Sequence, residues 1–557
     1  MSAFKNNVKY TFSLMLLFVA GVLQANNISV SNITLTGRDV SAGVNNAANF
    51  SMVQFNISWE NSWRRSSGPA NWDAAWVFVK YRRSGGTWQH AWLNNTGHTA
   101  PSGSTIDAGL LTPGTAFNAS TNPGMGVFIY RSSTGAGTNT FNSVQLRWNY
   151  GAQSIPDTAV VDIRVFAIEM VYVPQGSFYV GSGGTELSSF TQADNTTGNT
   201  VPFQITATAP TIQGNDASSS ASNLGARGNI DLTGTNTASL AAGYPTGFNA
   251  FYCMKYEISQ GQYRDFLNSL SRTQQANRVH MDGVVGRYAG GYTWDGSAWS
   301  GSQINNLTTP ANRIGLRLIA DPGGSSPRTY ACDLNTSSSL PTGVNQSDDG
   351  EWIAMGQLSW MDGCAYLDWS GLRPMTELEF EKACRGTQAT VSLEYAWGNS
   401  TTTSANNISN SGQIGEVTNT ANANSASGNQ TNVQGPIRVG SFAKAATTRV
   451  QSGATYYGIM DMSGNVWERT ITIGDATGRS YTGVHGDGAL SINGHATTAN
   501  WPGLISGEVT GANGSGHRGS SWSANTASMQ VSSRSFATAA TTLRYSAYGF
   551  RGICTAP

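Results

Sequence analysis

The chain has 557 residues, only 11% of them charged, and its 32 basic side chains balance 32 acidic ones. That charge balance gives no electrostatic footprint for a polynucleotide backbone, so nucleic acids are excluded as partners. The 65 glycines, with abundant Ser, Thr and Asn, suit turns and depress helix, as in a β- and loop-rich exported protein. The chain opens with Lys5 and Lys9, then the apolar run 11–22 and Leu23-Gln24-Ala25, the pattern of a secretory signal peptide over residues 1–25. The run is too short to span a bilayer and no later stretch is long enough, so a secreted or cell-surface protein without a transmembrane segment is expected. What remains exceeds a single core, and two or more domains are expected.

From residue 26 to 166 the pattern is alternation. Val53, Phe55, Ile57 and Trp59 are set against Gln54, Asn56 and Ser58, and Val144, Leu146, Trp148 and Tyr150 against Gln145, Arg147 and Asn149. Further strands are expected at 76–81, 88–93, 127–130 and 160–167, which together predict an all-β antiparallel sandwich domain. Trp59, Trp63, Trp72, Trp76, Trp88, Trp92 and Trp148 can supply either core packing or a platform for carbohydrate.

A second domain is expected over 167–557. Residues 181–244 hold few large apolar side chains and read as a long surface loop insertion. Ser259 and Gln262 form a capping box for a helix whose Tyr263, Phe266, Leu267 and Leu270 share one face. A second helix is expected over 359–369, closed near Gly371. A third lies between Thr376, with Glu379 three residues on, and Gly386.

The stretch 457–468 brings an apolar entry to Gly464 between Asp461 and Glu468. A glycine that turns carbonyls inward, beside two carboxylates, suits Ca²⁺, and it equally suits a plain turn with two solvated acids. The cysteines Cys253, Cys332, Cys364, Cys384 and Cys554 are scattered and form no zinc knuckle. In an oxidising compartment at least one is unpaired, and reduced buried thiols are the plain alternative to bridges. The histidines His90, His98, His280, His485, His495 and His517 have no metal-binding spacing and are expected on loops or the surface. Glu377, Glu379 and Glu381 alternate along one helix and face different ways, which argues against an acid/base pair.

Read in order, the blocks at 169–178, 251–259, 373–386, 395–398, 461–468, 518–522 and 549–551 resemble the formylglycine-generating enzyme (sulfatase-modifying factor) family over roughly 168–555. The resemblance implies an α+β C-type-lectin-like domain with little regular secondary structure. It also implies a calcium site from the Asp461 and Glu468 side chains with the Gly464 and Val466 carbonyls. A weaker second site is implied at Asn407 and Ile408, where the acidic partner falls near Asn429 and is lost. The family often staples the regions of Cys364 and Cys554, which suggests a bridge between them. Its enzymes hold copper with two cysteines, and those positions are Ala524 and Met529 here. Alanine has no ligand atom and one thioether does not replace two thiolates, so copper is not expected and catalysis is the minority reading.

The C-terminus also resembles the variable proteins of diversity-generating retroelements, which share this scaffold. Arg518, Gly519, Ser520, Ser521, Trp522, Val531, Arg534, Arg544, Gly549, Phe550 and Arg551 read as a fixed frame. Ser523, Ala524, Asn525, Thr526, Ser535, Phe536, Thr538, Thr541, Thr542, Tyr545, Ser546 and Tyr548 read as an adaptable binding face. The expectation is a non-catalytic protein that binds an unknown protein or glycan ligand at or outside the cell surface. The alternatives are an oxidoreductase of the same family with an altered site, or a structural surface or filament subunit that self-associates.

Overall fold

The computed structural model describes residues 27–557 apart from 194–198, 215–219, 234–235 and 294–302. The expected signal peptide, 1–25, lies outside the described residues. Eight strands build the N-terminal part: β1 (Ser29–Asp39), β2 (Phe50–Arg64), β3 (Asp73–Arg83), β4 (Gln89–His90), β5 (Ser104–Leu110), β6 (Gly124–Arg131), β7 (Gly135–Trp148) and β8 (Val161–Val173). One sheet runs β1-β2-β7, and β8, β3, β6 and β5 lie side by side in another, with β4 paired to β3. The alternation of β2 is explained by this arrangement. Val53, Phe55, Ile57 and Trp59 are buried against Val77, Val79, Val127 and Ile129 from the second sheet, with Val144, Leu146 and Trp148 of β7 in the same cluster.

β3 is buried on both faces from Asp73 to Tyr81, because its other face, Ala74, Trp76 and Phe78, packs on the downstream half. The Trp76 ring lies so close to the backbone of neighbouring strands that a Cβ at Gly109 or Gly126 would come within 2.5 and 2.6 Å of it. Its indole N–H donates to the carbonyl of Ser370 (2.8 Å). The two halves are one body of sheet. β8 also pairs with Phe251–Met254, which pairs with Gly552–Thr555, and the order continues through Arg373–Thr376 and Glu468–Ile471 to Ser515–Arg518. The boundary expected at 166/167 therefore falls inside a strand.

Four helices of the second half matter here: α1 (Gln260–Leu267), α2 (Arg272–Arg278), α3 (Trp360–Ser370) and α4 (Glu377–Arg385). α1 and α4 start at the expected capping boxes, Ser259 with Gln262 and Thr376 with Glu379. α3 starts at Ser359, boxed by Asp362, and closes at Gly371 with φ +72°.

Three expectations are corrected. The stretch 88–93 carries only the two-residue β4. Residues 181–244 are not a plain surface loop: Phe190–Gln192, Leu224–Ala226, Ile212–Gln213 and Thr237–Ala238 form a four-stranded sheet, and Phe203–Ile205 pairs with Phe178–Val180. Phe190, Ile205, Ile212 and Leu224 are buried in the main core, so a few apolar residues suffice when a larger body supplies the other wall. The bridge between Cys364 and Cys554 is not made, and all five cysteines are buried and free. Among the described residues no helix is long and apolar enough to cross a membrane.

Candidate functional site

The turn at 457–468 is built from buried polar contacts. Asp461, Gly464 and Asn465 take φ values of +60°, +103° and +62°, and a Cβ on Gly464 would lie 2.6 Å from the carbonyl oxygen of Ala426. Asp461 Oδ2 accepts the N–H of Gly440 (2.6 Å), and Asn465 Oδ1 accepts that of Ile437 (2.9 Å). The acids of this turn are therefore buried, not solvated. Glu468 Oε1 accepts from Arg551 Nε (2.7 Å), while Glu468 Oε2 is buried without a hydrogen-bond partner. The carbonyls of Gly464 and Val466 accept no hydrogen bond from the described residues.

A third buried carboxylate joins them. Glu257 Oε2 accepts from Asn465 Nδ2 (2.9 Å) and its Oε1 from the Val466 N–H (3.2 Å). Burial, reinforced by Asp461 and Glu468, holds the Glu257 carboxyl well above the usual carboxylate range. Burial also raises Asp461, and burial with the charge of Asp461 raises Glu468 despite Arg551. Glu257 was missed as a site residue, although it lies in the block 251–259, because its role depends on a turn 208 residues away. Among the described residues no group of three or more His, Cys, Asp or Glu side chains is placed to hold a metal ion by itself. A cation here would need the two free carbonyls as well, and the orphaned Glu468 oxygen and raised acids fit that donor set.

At the expected second site, Asn407 and Ile408 engage their own neighbours. Asn407 is exposed, its Oδ1 accepts from Asn432 Nδ2 (3.1 Å), and its carbonyl accepts from the Asn419 N–H (2.9 Å) and Thr418 Oγ1 (3.1 Å). Ile408 pairs with Thr418 in a short ladder.

The frame expected in the C-terminal segment is held by buried ion pairs with α4. Arg518 reaches Glu377 (3.1 Å) and Glu381 (2.8 Å), and Arg534 reaches Glu377 (2.7 Å). Glu379 pairs with Arg373 (2.6 Å) and caps α4. All three glutamates are thus fully engaged in structure. Arg544 pairs with Asp362 (2.6 Å), and Trp522, Val531 and Phe550 are buried.

Between these anchors Asn525, Phe536, Thr538 and Thr542 are exposed, and Ser523, Ala524, Thr526, Ser535, Thr541, Tyr545 and Tyr548 are half-buried. Ser546 is the exception and leaves the face: it is fully buried, its N–H donating to Tyr292 and its carbonyl lying where a Cβ on Gly356 would be 2.1 Å away. A row of rings runs through this segment. Phe536 meets Trp467 (5.0 Å), Trp467 meets His517 (6.0 Å), His517 meets Tyr548 (4.4 Å) and Tyr548 meets Tyr545 (4.9 Å).

At the two positions expected from the resemblance to match the copper cysteines, Ala524 packs half-buried beside Trp522, and Met529 is fully buried among Tyr395, Trp397 and Met462. The five thiols lie elsewhere, in buried strands and helices, and burial raises every one, Cys253, Cys332 and Cys554 to about 12. The expectation of loop or surface histidines holds for His98, His280, His485 and His495, which lie outside the helices and strands, and fails for His90 in β4 and His517 in Ser515–Arg518. His90, His485 and His517 are buried. His485 Nε2 accepts the N–H of Thr555 (2.9 Å), and burial pushes this ring down to about 3.

Fold and site together define a β-rich domain with a buried carboxylate turn and an arginine-framed C-terminal segment. A model of the sulfatase-modifying factor enzyme 1-like domain matches residues 222–556, more than half of the chain. The chain belongs to that family, the formylglycine-generating enzyme family. No curated protein matches it.

Proposed function

We propose that this chain is an exported, non-catalytic ligand-binding protein, which presents the half-exposed side chains of 523–548 on a fixed, lectin-like frame. The observation that carries the reading is the pair Ala524 and Met529, which leaves no thiolate where the family's copper chemistry needs two, with Met529 sealed in the core. The face itself mixes Asn, Ser, Thr and Tyr, side chains that adapt their hydrogen bonding to many surfaces. In this reading the segment is diversified between relatives by a retroelement, and the ligand is a protein or glycan outside the cell.

Calcium belongs to the same proposal. Asp461 and Glu468, with the Gly464 and Val466 carbonyls, would hold the ion, which offsets buried negative charge and stiffens the loops beside the face. The test is turnover: purified protein with copper, oxygen and a cysteine-containing substrate peptide, followed by mass spectrometry. Conversion of the peptide thiol to an aldehyde would overturn the reading, and an unchanged peptide supports it.

A further inference from the structure

The tryptophans of the N-terminal half separate by burial. Trp59, Trp76 and Trp148 are fully buried, Trp63 and Trp72 are half-buried against the core clusters, and two others, Trp88 and Trp92, stay half-exposed. Both of the latter line a cavity of about 440 Å³ between the two halves of the molecule, together with Trp369 of α3, His90 of β4 and Asp487. Clefts of a few hundred Å³ between packed bodies are where small ligands bind.

The lining has the chemistry of one ligand class. Trp88, Trp92 and Trp369 share the lining with Leu111, Pro123 and Leu490, and the Arg82 and Arg164 guanidinium groups lie over the Trp88 ring, 4.8 and 4.4 Å from its centre. Trp369 closes the floor, and its indole N–H is buried without an acceptor. Gln89 and Asp487 are exposed at the rim. Asp487 Oδ1 accepts the N–H of Ala489 (2.9 Å), and its other oxygen takes no protein donor among the described residues. No lysine or arginine lines the cavity. The ammonium of Lys80, buried beneath, is spent on the Gly488 carbonyl (2.8 Å). An apolar lining with hydrogen-bonding groups at its rim and no free cation disfavours an anion and suits a ring with apolar faces and hydroxyl edges.

We infer that this cavity is a second binding site, separate from the C-terminal face, for a neutral saccharide of one or two rings. The experiment titrates the full mature chain with hexoses, N-acetylhexosamines and their disaccharides, by calorimetry and tryptophan fluorescence. Saturable binding is expected for at least one sugar, weakened about tenfold by Trp92→Ala through loss of a stacking face, and less by Trp92→Phe. Asp487→Asn at the exposed rim weakens it without disturbing the fold, so the test stands even if Trp92→Ala does not fold. Tyr545→Ala on the C-terminal face leaves it unchanged. The inference is overturned if no sugar in the panel binds, if Trp92→Phe and Asp487→Asn bind like the parent, or if Tyr545→Ala abolishes binding.

Discussion

Single buried charges do much of the fastening in this chain, and their partners decide the effect of removing them. Lys255 donates to Asp73 (3.2 Å) and Glu169 (3.0 Å), all three buried where the two halves join. Lys255→Met would leave two carboxylates unpaired in the core. The expected loss is about 3–5 kcal/mol, read as a shift of the urea midpoint. The carboxylates of the 457–468 turn make an opposite case, since burial raises Glu257, Asp461 and Glu468 in the folded state. A raised carboxyl binds its proton more tightly when folded, so the calcium-free protein loses stability as pH rises from the ordinary values of 3.8 and 4.5. A bound cation needs these groups ionised. Calcium should therefore raise Tm, and by more at pH 8 than at pH 5; equal melting with and without chelator at pH 8 would remove calcium from the account. The turn that joins Asp461 and Glu468 was legible because the glycine and both acids lie within one short stretch. Glu257 was not, because nothing local marks it.

At the scale of elements, α4 is the hub. Its helix was readable from Thr376, Glu379 and Gly386 alone, since a capping box and a closing glycine are local signals. Glu377 and Glu381, by contrast, meet arginines from far along the chain, Arg518 and Arg534. Arg534 pairs with Glu377 and also donates to the carbonyls of Ser188, Gly228 and Asn229, tying the 181–244 insertion to the core. Arg534→Met should destabilise by about 3 kcal/mol. The insertion should then be cut faster in limited proteolysis, and an unchanged cleavage rate would show that its own small sheet suffices. The insertion was illegible for the same reason: its backbone is held by distant groups, such as Glu381 accepting from the Gly181 N–H (2.9 Å), rather than by its own composition.

Across the whole molecule, β8 carries the continuity. Its residues 161–171 pair with the full length of β3, and 170–173 pair with Phe251–Met254, so no cut near 166 leaves two complete sheets. Fragments 27–166 and 167–557 are expected not to fold separately, and the intact chain should melt in one calorimetric transition. Two well-separated transitions would contradict the shared sheet. The alternation of β2 and β7 showed half-buried strands, but the boundary could not be read from it. A strand buried on both faces, as β3 is, reads as an unbroken apolar run and does not reveal what covers its far side.

A changeable face on a fixed frame is tested by natural variation at the gene's 3′ end. Deep sequencing across a population, with the adjoining downstream DNA, should find Ser523, Asn525, Thr526, Thr538, Thr542 and Tyr545 varying only where a nearby near-copy carries adenine. Arg518, Trp522, Arg534, Gly549 and Arg551 should stay constant. A uniform segment with no template, or variation that falls equally on the buried arginines, would show that the face is not diversified on a fixed frame.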